Sequence, residues 1–99
     1  GARRGGATLS EPGPFGGLQV EYPIPYTVKA FGPNRSEFAE RVRQLVACHT
    51  PLSEHAVHTR ESRNGRYLSV SCTFQAESRE QLDAIYADLQ ADPDVLAAL

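Results

Sequence analysis

Three histidines, two cysteines and a set of basic and aromatic side chains are the groups in this chain that could do chemistry. Metal binding would need them clustered, because a structural zinc site usually takes four Cys or His ligands at close spacing. Cys48 and Cys72 are far apart, and neither belongs to a Cys-x-x-Cys pair. His55 and His58 fall in one extended run, where positions three apart point to opposite sides, so they cannot share an ion or a proton. His49 stands apart from both, and solvated or edge histidines are the simpler reading of all of them. Phosphate cradling asks for glycines between a strand and a helix N-terminus, whereas Gly5-Gly6 and Gly16-Gly17 precede the first periodic segment. What remains is Lys29, Phe31, His58, Arg60, Arg63, Arg66 and Tyr67, types that hold anions and stack rings without forming a nucleophile and base. The chain is expected to bind rather than catalyse, with no catalytic, metal or cofactor-binding residue.

These side chains matter only if the backbone gathers them on one surface. Asn64-Gly65 sits between two extended runs, which predicts a β-hairpin with a two-residue turn. After it, Leu68, Val70, Cys72 and Phe74 point one way while Tyr67, Ser69, Ser71 and Thr73 point the other. A type I′ turn then pairs Val57 with Cys72 and Thr59 with Val70 on a buried face, and His58 with Ser71 and Arg60 with Ser69 on an open one. The two strands are expected over about Glu54 to Ser62 and Arg66 to Ala76.

Upstream, Tyr26, Val28 and Ala30 alternate with Thr27, Lys29 and Phe31 in a first strand that Pro23 and Pro25 delay to near Tyr26 and Gly32-Pro33 ends. Asn34 or Ser36 is then expected to cap a helix with the stripe Phe38, Val42, Leu45 and Val46, stopped at Thr50-Pro51. Ser78-Arg79-Glu80-Gln81 has the form of a capping box and opens a second helix with the stripe Leu82, Ile85, Tyr86 and Leu89, broken at Asp92-Pro93. The apolar run Val95 to Leu99 suits a final strand. The order βαββαβ is met economically by one layer of two helices on a four-stranded antiparallel sheet. The expected fold is therefore an α+β ferredoxin-like plait with strand order 4-1-3-2 and the second and fourth strands at the edges.

At 99 residues the chain has room for one domain, placed at 22–99. Residues 1–21 hold most of the glycine and no periodicity, and read as a disordered tail or a remnant of processing. A net charge of -2 and a pI near 5.9 exclude a surface built throughout for nucleic acid, though not a local basic patch. Without an apolar run near the roughly 18 to 20 residues of a membrane span, and with free thiols, the expected location is the cytoplasm.

Three segments carry a resemblance: Pro25-Tyr26-Thr27-Val28-Lys29-Ala30-Phe31-Gly32, Gly65-Arg66-Tyr67-Leu68-Ser69-Val70-Ser71, and the long stretch from Ala76 to Leu89 with Pro93-Asp94-Val95. Together they resemble the YbeD-like family of small uncharacterised bacterial proteins, from about Tyr22 to Leu99. The resemblance implies the same plait and a likeness to ACT regulatory domains, and brings no catalytic residues with it. The chain departs from the family's usual residues at Phe31, where methionine is common, and at Ala97-Ala98, where bulkier side chains are.

Acylphosphatase-type catalysis lacks its anion loop here, and metallochaperone-type binding lacks thiols in Gly32-Pro33-Asn34-Arg35. Gly32 stands where ACT ligand sites often have a glycine, but a chain turn explains it as simply. An RNA platform wants aromatics at the sheet centre, where Ser69, Ser71 and Thr73 fall instead. The leading expectation is a regulatory or interaction module that takes a protein partner, a small metabolite or a second copy of itself. Its candidate face is Lys29, Phe31, His58, Arg60, Tyr67, Ser69 and Ser71, for which a merely solvated surface is the bland alternative.

Overall fold

The structure, a computed structural model, describes residues 21–99, so the expected N-terminal tail lies outside the described residues except for Glu21. The elements are β1 (Ile24–Pro33), α1 (Phe38–Ala47), a 3-10 turn (Glu54–Ala56), β2 (Val57–Glu61), β3 (Tyr67–Ala76), α2 (Arg79–Ala91) and β4 (Ala97–Ala98). All pairs are antiparallel and the sheet order is β2-β3-β1-β4, the expected 4-1-3-2 read from the other edge. This is the ferredoxin-like α+β plait. β1 begins two residues before Tyr26, pairing Ile24 with Ala76. Pro25 is tolerated because odd-numbered β1 residues, such as Lys29 bonded to Leu99, turn their backbone away from β3, so the proline removes no bond of that ladder.

One face of the sheet meets the helices. Val28 and Ala30 of β1, and Leu68, Val70, Cys72, Phe74 and Ala76 of β3, pack against Phe38, Val42 and Val46 of α1 and Leu82, Ile85 and Leu89 of α2. Burying each large apolar side chain contributes about 1.5 to 3 kcal/mol, which is what holds so small a domain together. Both stripes follow the expected spacing, with Leu45 and Tyr86 half-buried at the margins. Tyr86 reaches across to Tyr26, hydroxyl to hydroxyl, at 2.9 Å.

The helix starts differ from each other. α1 has Glu37 at its N-cap and no side-chain capping bond. Asn34 is drawn the other way: its Nδ2 donates to the Gly65 carbonyl at 2.9 Å and its backbone N–H to the Arg66 carbonyl at 3.0 Å, prolonging the β1–β3 ladder to the hairpin tip. Ser36 turns its hydroxyl to the Glu37 carboxylate instead. At α2 the Ser78 hydroxyl accepts the Gln81 N–H at 3.1 Å, while Gln81 Oε1 accepts from Glu77 rather than Ser78, so the box closes one residue early. Gln81 Nε2 also donates to the His49 carbonyl at 2.9 Å, tying the two helices. Ser78→Ala should cost about 1 kcal/mol and lower the melting temperature by roughly 5 °C, read by circular dichroism. An unchanged melt would mean that Gln81 alone holds the start of α2.

The hairpin register is as expected, Val57 opposite Cys72 and Arg60 opposite Ser69, but the turn is not. Gly65 donates to the Ser62 carbonyl and Ser62 to the Tyr67 carbonyl, both at 2.9 Å, leaving a four-residue loop over 63–66. Gly65 takes a φ of +75°, and Asn64 Oδ1 accepts from the Arg66 N–H and the Ser62 hydroxyl at 3.0 Å. Two-residue and four-residue loops about the same centre give the same pairing, so the wrong turn type left the faces right.

Two further expectations are corrected. β2 starts at Val57, and His55 lies in the 3-10 turn rather than on the strand. Thr59 is exposed and Val57 only half-buried, because the helices pack over β1, β3 and β4 and do not cover β2. Gly32 is no chain turn: it is buried inside β1, and a Cβ there would run into Phe38 Cζ and stand 2.6 Å from the Asp94 carbonyl.

Candidate functional site: the open sheet face

Among the described residues one sheet face carries no helix, and alternation along β1, β2 and β3 with their register aligns its residues in rows. Ala97, Phe31, Ser69 and Arg60 form one row across β4, β1, β3 and β2. The next holds Lys29, Ser71 and His58, with Leu99 opposite Lys29 through paired backbone bonds of 2.8 and 2.9 Å. Pro33 and Tyr67 close one end, and Thr27 and Thr73, joined hydroxyl to hydroxyl at 3.0 Å, close the other. The residues singled out from sequence, Lys29, Phe31, His58, Arg60, Tyr67, Ser69 and Ser71, thus lie on one surface. Leu99, which is 68% exposed, and Ala97 were missed, since nothing in a short apolar terminal run reveals which way its side chains fall before its register is known.

The described strand residues of the open face include Lys29, Arg60 and His58 and no acid, whereas the helix side mixes both signs, α1 carrying Arg41 and Arg43 with Glu40 and α2 carrying Glu80, Asp83 and Asp88 with Arg79. The exposed cations stand on small, half-buried serines, with the apolar Phe31, Leu99 and Tyr67 toward β4 and the hairpin tip. Such a surface can hold carboxylates by charge-assisted bonds from Arg60 and Lys29 and shelter a few apolar groups beside them.

Both cysteines and the histidines other than His58 lie elsewhere. Cys72 is fully buried under the helices, and burial pushes its thiol up to about 11. Cys48 is exposed at the end of α1. Burial keeps Cys72 protonated at pH 8 and out of reach of reagent, so iodoacetamide should modify the folded protein once, at Cys48, and the denatured protein twice, by mass spectrometry. Two adducts without denaturant would contradict a closed core. A folded thiol that holds its proton above the ordinary value of 9.0 stabilises the fold fully below that pH, and this contribution fades as the pH rises toward 11. His49 Nε2 lies 2.6 Å from Asp88 Oδ2, bridging the end of α1 to α2. No cluster of three or more His, Cys, Asp or Glu suited to a metal occurs among the described residues, nor does a helix long and apolar enough to cross a membrane.

A profile of the DUF493 family, proteins of unknown function, matches residues 18–99. A UPF0250 protein of Nitrosomonas europaea is 38% identical over 81 residues, covering 81% of this chain and 93% of its own. One from Hahella chejuensis is 33% identical over 82 residues, covering 82% and 90%. The solution structure of protein HP0495 from H. pylori shares the fold at a TM-score of 0.67 and 12% identity, over 83% of this chain and 87% of that one. The YbeD-like resemblance carried by the first strand, the hairpin and the second helix is borne out, and the chain belongs to the DUF493 family of proteins of unknown function.

Proposed function

We propose that this protein is a non-enzymatic interaction module whose open sheet face docks an acidic segment of a protein partner. The observation that carries the reading is the composition of this face: among the described residues its strands present Lys29, Arg60 and His58 and no acid, in a chain whose net charge is -2. Complementary charge gives orientation and association rate, and the flanking Phe31, Leu99 and Tyr67 add apolar contact. A small metabolite would want a concave site that buries most of its surface, which an open sheet does not provide. Two copies placed face to face would oppose like charges. RNA would want aromatic rings at the sheet centre, where Ser69 and Ser71 lie, with Phe31 and Tyr67 toward one end.

The test is affinity capture from a bacterial lysate with the full chain as bait, treated with RNase and washed over a salt series. The wild-type bait should retain an acidic protein after RNase and release it with salt, Lys29→Glu/Arg60→Glu should lose it, and Asp83→Lys on the helix side should keep it. Capture that ignores the face reversal, or that vanishes with RNase, would overturn the reading.

A further inference from the structure

We infer that β2 is the docking strand, to whose outer edge an extended acidic segment of the partner adds as a fifth strand. The inference rests on the open-face reading above and specifies the partner's conformation and pattern. Among the described residues β2 is bare on three sides: every residue from His58 to Glu61 is exposed, no helix covers it, and β3 is its one neighbour in the sheet. The bond from Ser62 N–H to the Tyr67 carbonyl sets the alternation of the ladder, so even-numbered β2 residues face β3 and Val57, Thr59 and Glu61 turn their N–H and C=O groups outward.

The opposite edge is partly guarded. β4 is two residues long, and where β1 extends beyond it toward its start the outward positions are Thr27 and Pro25, the second of which has no N–H. Val57-His58-Thr59-Arg60-Glu61 has neither proline nor lysine to protect its edge, only the charges of Arg60 and Glu61, and its Val and Thr favour extended backbone. An open edge is the geometry on which extended segments are captured by main-chain bonds, with side chains supplying selectivity. On the open face an added strand lies beside His58 and Arg60, with Lys29 farther in, which selects acids at alternate positions. On the other face it meets Val57, Thr59 and Glu61, which selects uncharged residues. The partner segment is therefore extended, with acidic and neutral side chains alternating.

The probe is a short synthetic peptide alternating glutamate with valine, titrated into the 99-residue chain and followed by NMR. Binding should protect the Val57, Thr59 and Glu61 amides from exchange. It should weaken about tenfold when alternate peptide nitrogens are methylated, which keeps the charge and removes the ladder. Thr59→Pro should weaken it similarly, since that outward N–H takes no part in the β3 ladder. Equal affinity of the methylated peptide, with shifts at Lys29 and Ser71 and none at the β2 edge, would overturn strand addition and leave the open-face reading standing. Failure of both peptides to bind at millimolar concentration would overturn both.

Discussion

Gly32→Ala should destabilise this domain by about 3 kcal/mol and lower its melting temperature by roughly 10 to 20 °C. The cause is space rather than backbone conformation. Gly32 sits in β1 where α1 and the turn before β4 converge, and an added methyl would meet Phe38 Cε1 at 2.5 Å and the Asp94 carbonyl at 2.6 Å. Phe38 is 1% exposed and packed in the core, so its ring cannot swing away without displacing its neighbours. The Asp94 carbonyl is backbone, in a turn held by Arg41, whose guanidinium bonds Asp92 Oδ2 at 2.8 Å and also the Asp94 carboxylate. Trimming the ring in Gly32→Ala/Phe38→Leu should therefore recover part of the loss and no more. A melt of Gly32→Ala equal to wild type, or complete rescue, would contradict this packing.

Reversing the two central cations of the open face should abolish binding of an acidic segment while leaving the fold unchanged. Lys29 and Arg60 are exposed and no ion pair of either is seen among the described residues, so Lys29→Glu/Arg60→Glu should unfold with the wild type. Binding of a labelled polyglutamate peptide, by fluorescence anisotropy at low salt, should weaken at least about a hundredfold, because two attractions become two repulsions. The neutral pair Lys29→Gln/Arg60→Gln should fall between, and the differences should shrink as salt shortens the Debye length to about 8 Å. Reversal without effect would show that the acidic segment, if held at all, is held elsewhere.

What could be read from the residues alone follows the range of the forces involved. Period-two alternation in β3 and Asn64-Gly65 disclosed the register and hence the open face, although the loop proved to be four residues long. Ser78 was readable as a cap because its bond to Gln81 is local, whereas Asn34 was not, since its competing partner at Gly65 is distant in the chain. The exposure of Thr59 depends on how far the helices reach across the sheet, which no strand pattern encodes. Leu99 joined the face through β4's register, and that in turn depends on where Arg41 holds Asp92 and Asp94. Gly32 was mistaken for a turn residue because its reason lies in Phe38 and Asp94, remote in sequence and adjacent in space.

The most direct test of an acid-binding open face is a nitrogen-15 NMR titration of the full chain with a polyglutamate peptide at low and moderate salt. Salt-sensitive shifts concentrated at Lys29, His58, Arg60, Ser69 and Ser71, with α2 unmoved, are the expected result. Shifts confined to the helices, or none on the sheet at millimolar peptide, would contradict it.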